Sequence, residues 1–98
     1  GDEKLAKSIL RCFLNEVPQQ IDTIREQLKI GESESVARLA HTIKGTAGNV
    51  GCLGLSETAF EMEKAANEHN LDKFKKNMTQ LEKQFQNIKV EIEDYLKN

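Results

Sequence analysis

A spacing constrains this chain more than any other feature. Leu71, Phe74, Met78, Leu81, Phe85, Ile88, Ile92 and Tyr95 recur at alternating intervals of 3 and 4 residues. That period places them on one face of a single helix, about 40 Å long at about 1.5 Å rise per residue. Leu10, Leu14, Val17, Ile21, Ile24 and Leu28 repeat the pattern at intervals of 4, 3, 4, 3 and 4. Between the two lie a segment from about Glu34 to Val50, stopping at Gly51, and another from about Leu53 to His69. Leu55, Ala59, Met62 and Ala66 form the buried stripe of the latter. Strand alternation is convincing nowhere. Spacings of 3 and 4 favour near-parallel packing at about 20°, and short connections favour antiparallel neighbours. The expected fold is all-α: an antiparallel up-down four-helix bundle with an N-terminal helical extension, residues 1–98 forming a single domain.

The punctuation fits. Pro18 deletes the hydrogen bond its N–H would give to the Leu14 carbonyl, yet the stripe keeps phase across it. The first segment is therefore either one kinked helix or two helices meeting near Asn15. Gly31 is expected just past its end, Ser33 as N-cap of the next helix, and Asn70 as N-cap of the last.

Charge then removes whole classes of partner. Lys and Arg total 14 against 16 for Asp and Glu, a formal net charge of −2. That balance gives no electrostatic case for nucleic acid or an anionic membrane. No stretch nears the roughly 20 apolar residues of a membrane span, and no signal-peptide core precedes the first charges. Cys12 and Cys52 are too few for a disulfide framework and lack metal-ligand spacing. They read as small hydrophobes of a reducing, cytoplasmic compartment. The chain opens on Gly1 rather than Met, which is compatible with one domain cut from a longer protein.

The informative segment is Ala40-His41-Thr42-Ile43-Lys44-Gly45-Thr46-Ala47-Gly48-Asn49-Val50-Gly51. On a helical wheel with His41 at zero, Val36, Leu39, Ala40, Ile43, Ala47 and Val50 fall at roughly 160–260°, a core arc opposite the imidazole. Ala37, Arg38, Lys44, Gly45 and Gly48 fall within about 60° of it. Each glycine inside a helix costs about 1 kcal/mol relative to Ala. Beside His41 they clear a path to the ring, and Lys44 sets an ammonium near it. A bare imidazole, a neighbouring cation and a clear approach suit phosphoryl acceptance. The alternative is a solvated histidine whose glycines pack against a neighbouring helix.

These residues carry a resemblance. His41-Thr42-Ile43-Lys44-Gly45 followed by Gly51 is similar to the H-x-x-K-G-x-x-x-x-x-G pattern of histidine phosphotransfer (HPt) domains. Phe13-Leu14 with Pro18 resembles the family's first helix, Gly31 and Ser33 the turn before the active helix, and Leu55–Glu63 the helix packed beside it. The likeness covers nearly the whole chain.

The resemblance implies a phosphorelay carrier, taking phosphoryl on His41 from a receiver-domain aspartate and passing it to another. It implies phosphorylation at Nε2, Lys44 near the phosphoryl oxygens and Gly45 as the opening for the partner. Glu63, 22 residues beyond His41, would accept from Nδ1–H and fix the tautomer. Its other reading is a solvated flank carboxylate paired with Lys64 or Lys44. Response-regulator receiver domains would be the partners and would supply Mg²⁺, so the chain itself needs no cofactor or metal. Without a phosphate-binding Gly loop it is a phosphotransfer intermediate with no autonomous kinase activity. Ile9, Phe13, Arg38, Gly48 and Ser56, together with Cys12 and Ala59, are candidates for partner contact. A monomer is expected, with fusion to a hybrid sensor kinase open.

Two rivals stand beside this reading. One is the phosphoacceptor domain of a chemotaxis-type histidine kinase, which usually carries Thr-Phe where this chain has Asn49-Val50. The other is a non-catalytic helical adaptor, against which the retained His41, Lys44 and Gly45 argue. His69 reads as a helix-end residue suited to the dipole.

Overall fold

The apolar stripes close into helices along almost the whole chain. The computed structural model describes residues 1–98: α1 (Asp2–Ile30), α2 (Ser33–Asn49), α3 (Leu53–Asn67) and α4 (Leu71–Lys97). Each helix packs antiparallel on the next, and α4 returns beside α1, giving the up-down four-helix bundle. Pro18 lies within α1, which is one helix rather than two; the proline faces solvent.

Phe13, Val17, Ile24, Ile43, Leu55, Met62, Phe74 and Leu81 are almost wholly buried, each side chain contributing about 1.5–3 kcal/mol of transfer free energy. The seams differ in what fills them. Between α2 and α3 the buried residues are small, with Ala37, Ala40, Ala47, Ala59, Ala65 and Ala66 all in the core. Backbones that lack bulk between them approach closely. Between α1 and α4 the filler is aromatic: the Phe13 and Phe85 rings stand 5.8 Å apart at 52°. That seam carries an open groove of about 690 Å³ lined by Pro18, Ile21, Arg25, Glu82 and Phe85. Arg25 Nη2 meets Glu82 Oε1 there at 2.7 Å.

Helix lengths are unequal. α1 has 29 residues and α4 has 27, against 17 and 15 for α2 and α3. The molecule is accordingly an elongated rod, 45 × 19 × 19 Å. The turn between α2 and α3 stands level with Leu10 and Ile92, and the long pair continues past it. The N-terminal extension is therefore the first part of α1, laid against the end of α4: Lys7 Nζ donates to the Asn98 carbonyl at 3.2 Å and lies 5.5 Å from the Tyr95 ring centroid. Tyr95, expected at the end of the buried stripe, is 41 % exposed because only α1 remains to cover it.

Three helices end the same way. In each, a residue in the left-handed region reverses the chain, and the N–H after it reaches back five residues: Glu32 to Gln27, Cys52 to Ala47 and Asn70 to Ala65. Gly31 (φ 82) and Gly51 (φ 78) fill that position without strain, while His69 (φ 56) fills it at the end of α3. α3 thus stops at Asn67, two residues before the expected His69. The side chain of Asn70 accepts from the Lys73 N–H at 3.1 Å, capping α4 as the sequence predicts. Ser33 does not cap α2. Glu32 holds the N-cap position without a side-chain hydrogen bond, and Ser33 is already helical.

Candidate functional site

The site is built on the close α2–α3 seam. An antiparallel register sets His41 opposite Glu63, Lys44 opposite Phe60 and Gly48 opposite Ser56. Ile43 and Ala47 anchor α2 from the other side with no exposure at all, which turns His41 outward. Its side chain is 62 % exposed.

Glu63 holds the ring. Both carboxylate oxygens face Nδ1, Oε1 at 3.2 Å and Oε2 at 3.1 Å, and Nε2 has no protein partner. A carboxylate at Nδ1 favours the tautomer with the proton there and the lone pair on Nε2. Glu63 is only 21 % exposed, so its position is fixed by packing as well as by charge. The same carboxylate takes Lys44: Oε1 lies 3.5 Å from Nζ. Lys44, which the wheel set beside the imidazole, is thus tied to α3 rather than standing apart. The imidazole borders a shallow cleft of about 450 Å³ whose rim includes Glu34, Arg38, Thr42 and Asn67.

The two glycines are not equivalent. A Cβ added at Gly45 would meet nothing within 4 Å, whereas one at Gly48 would meet Ser56 Oγ at 3.6 Å. Gly45 borders open space, and Gly48 also serves the seam. Ser56 donates its hydroxyl to the Lys44 carbonyl at 2.9 Å, bridging α3 to α2. Ala37, placed by the wheel beside His41, is 6 % exposed because α3 covers that flank.

The proposed partner contacts divide. Ile9 is 46 % exposed and Cys12 is exposed. Together they border a cleft between α1 and α2 with Thr46, Asn49 and Val50. Arg38 is exposed and lies 3.6 Å from Glu34. Phe13 and Ala59 are corrections: at 2 % and 0 % exposure both belong to the core, Phe13 against Phe85 and Ala59 inside the small-residue seam. Phe60, missed by the sequence reading, is 43 % exposed with Lys44 Nζ 5.1 Å from its ring centroid. The register that pairs His41 with Glu63 would have found it.

The remaining titratable features lie elsewhere. Burial, and secondarily the Glu91 carboxylate, push the Cys52 thiol up from its ordinary range. No three His, Cys, Asp or Glu side chains gather in a metal-holding group. No helix is long and apolar enough to cross a membrane.

Compared with known proteins, residues 8–91 match the family model of the Hpt domain. No curated protein and no solved structure matches the chain. The matched span runs from the first core turns of α1 to near the end of α4 and contains the whole seam between His41 and Glu63. With four helices in place and the family match covering most of their length, the chain belongs to the Hpt domain family, the histidine phosphotransfer proteins of phosphorelays, which work with response-regulator receiver domains.

Proposed function

We propose that His41 is the phosphoacceptor and that the chain relays phosphoryl from one receiver-domain aspartate to another. The observation that carries the reading is the exposed imidazole with Nδ1 held by Glu63 and Nε2 unpartnered. In the transfer, the Nε2 lone pair forms a new N–P bond as the P–O bond of the aspartyl phosphate breaks. The bonding pair stays on the departing carboxylate oxygen, so no oxidant or reductant enters. Positive charge that develops on the ring is met by Glu63, and Lys44 stands close enough to turn its ammonium toward phosphoryl oxygens. Gly45 leaves the approach open.

The receiver brings Mg²⁺ and the acidic pocket. This chain brings a ring of fixed tautomer on a rigid face. Ile9, Cys12, Arg38 and the Gly48 region border the ring and α1–α2 cleft and form the contact surface. The domain works as a monomer in the cytoplasm, residues 1–98 acting as one unit, either free or fused to a hybrid kinase.

The test is incubation with a phosphorylated receiver domain, followed by acid treatment of the label and a His41→Gln control. Acid-labile label that disappears with the substitution is the expected result. Acid-stable label, or label surviving His41→Gln, would sink the assignment.

A further inference from the structure

Resting on the reading of His41 as phosphoacceptor, we propose that Phe60 is a positioning residue for Lys44, holding its ammonium at the edge of the site. The other phenylalanines, Phe13, Phe74 and Phe85, are no more than 2 % exposed, while Phe60 is 43 % exposed. Its ring is therefore not there chiefly to fill the core. It stands in register with Lys44 one turn along the seam from the His41–Glu63 pair. Lys44 Nζ lies 5.1 Å from the ring centroid, inside the range at which an aromatic face attracts a cation.

The chemistry of the contact matters. A lysine ammonium on a flexible four-carbon stem samples many rotamers, and ordering it on demand slows any step that uses it. Glu63 alone is a poor anchor, because its carboxylate is already engaged at Nδ1 of His41 and only Oε1 reaches Lys44, at 3.5 Å. The ring holds the charge without consuming an N–H donor. Lys44 is thus localised by an aromatic face and a shared carboxylate, and keeps donors for the oxygens of an incoming phosphoryl group. Lys64, one turn on from Phe60, lies 5.8 Å from the same ring and is the more distant cation.

An exposed phenyl beside the site would also suit simple contact with a partner protein, so the experiment uses a donor that has no protein surface. With phosphoramidate, Nε2 of His41 forms the new N–P bond while the donor's P–N bond breaks, its electron pair leaving with the nitrogen as ammonia. Phe60→Leu, which keeps apolar bulk without the aromatic face, should slow this reaction about 2- to 5-fold. Phe60→Tyr should restore it, and Phe60→Leu should add nothing in a Lys44→Ala background. The second readout needs no phosphoryl. The Lys44 side-chain methylene resonances should show an upfield ring-current shift in the wild-type chain, lost in Phe60→Leu and retained in Phe60→Tyr.

A Phe60→Leu variant that accepts phosphoryl at the wild-type rate overturns the proposal, as does a further slowing in the Lys44→Ala background. Unshifted Lys44 methylenes in the wild type overturn it independently. A wild-type chain that takes no phosphoryl at His41 brings down the phosphoacceptor reading and this role with it, an outcome distinguishable from the others by the intact ring-current shift.

Discussion

Glu63 meets Nδ1 of His41 with both carboxylate oxygens, at 3.2 and 3.1 Å, from a helix 22 residues downstream. One carboxylate thereby sets the tautomer and orientation of the ring and, on the proposed function, would meet the charge that develops when phosphoryl arrives. Glu63→Ala should lower the rate of phosphoryl acceptance about 10-fold, the low end for loss of an orienting partner. Glu63→Gln should fall between, since an amide oxygen still accepts from Nδ1–H. Helical circular dichroism should be unchanged in both, because Glu63 sits on the flank of the core. Labelling kinetics measured against a phosphorylated receiver decide the matter, and an unchanged rate for Glu63→Ala removes it from the site.

Gly45 sets stability against access. Its added Cβ meets nothing within 4 Å, so Gly45→Ala should raise folding stability by about 1 kcal/mol through helix propensity alone. The same methyl intrudes on the path to His41. Transfer from a receiver should therefore drop more than acceptance from phosphoramidate. Urea unfolding and the two rates measured side by side check both halves, and a variant no more stable than wild type contradicts the open-space reading.

His69 fills a position that glycine fills at Gly31 and Gly51. A β-carbon at φ 56 carries strain that glycine does not. His69→Gly should stabilise the bundle by about 1 kcal/mol, net of the flexibility glycine adds to the unfolded chain. Thermal unfolding should show the midpoint move up by a few degrees, roughly 4–8 °C per kcal/mol in a chain of this size. A lowered midpoint would mean that the imidazole makes a contribution the strain argument omits.

The two cysteines should react at different rates. Burial and then Glu91 hold the Cys52 thiol protonated beyond its ordinary range, and it is the thiolate that attacks. Iodoacetamide at neutral pH should modify exposed Cys12 first, and peptide mass spectrometry should show Cys52 lagging. Linkage gives a sign as well. A thiol whose folded pKa is raised favours folding fully below its unfolded pKa, and that contribution declines as pH rises through the interval between the two values. Cys52→Ala should therefore flatten the alkaline end of the stability profile.

Much of this was legible in the residues, and the illegible parts share a cause. Stripes at 3 and 4 spacing specify helices and their inward faces, so the bundle and the outward-facing His41 followed from a wheel. The wheel describes one helix at a time. It set Ala37 in the open because it had no α3 to lay over that flank. It left Tyr95 in the stripe because it could not see the short helices run out. Phe13 was assigned to the docking surface by family likeness, while its ring packs on Phe85 from another helix. Ser33 failed as a cap because the left-handed turn at Gly31 starts α2 one residue sooner than the cap pattern suggested. Lys44 and Phe60 lie on different helices, and only the inter-helix register joins them.

The unequal helices have one more consequence. An even number of antiparallel helices brings both chain ends to the same pole, and here Lys7 of the first touches the carbonyl of Asn98 at 3.2 Å. The His41–Glu63 pair lies wholly inside the α2–α3 hairpin, a sequence-local unit that neither end interrupts. A circular permutant that joins the ends through a short flexible linker and opens the chain at the turn around Gly31 should therefore preserve the bundle. It would also place that hairpin first off the ribosome, making the His41–Glu63 seam the earliest long-range contact the new chain could form.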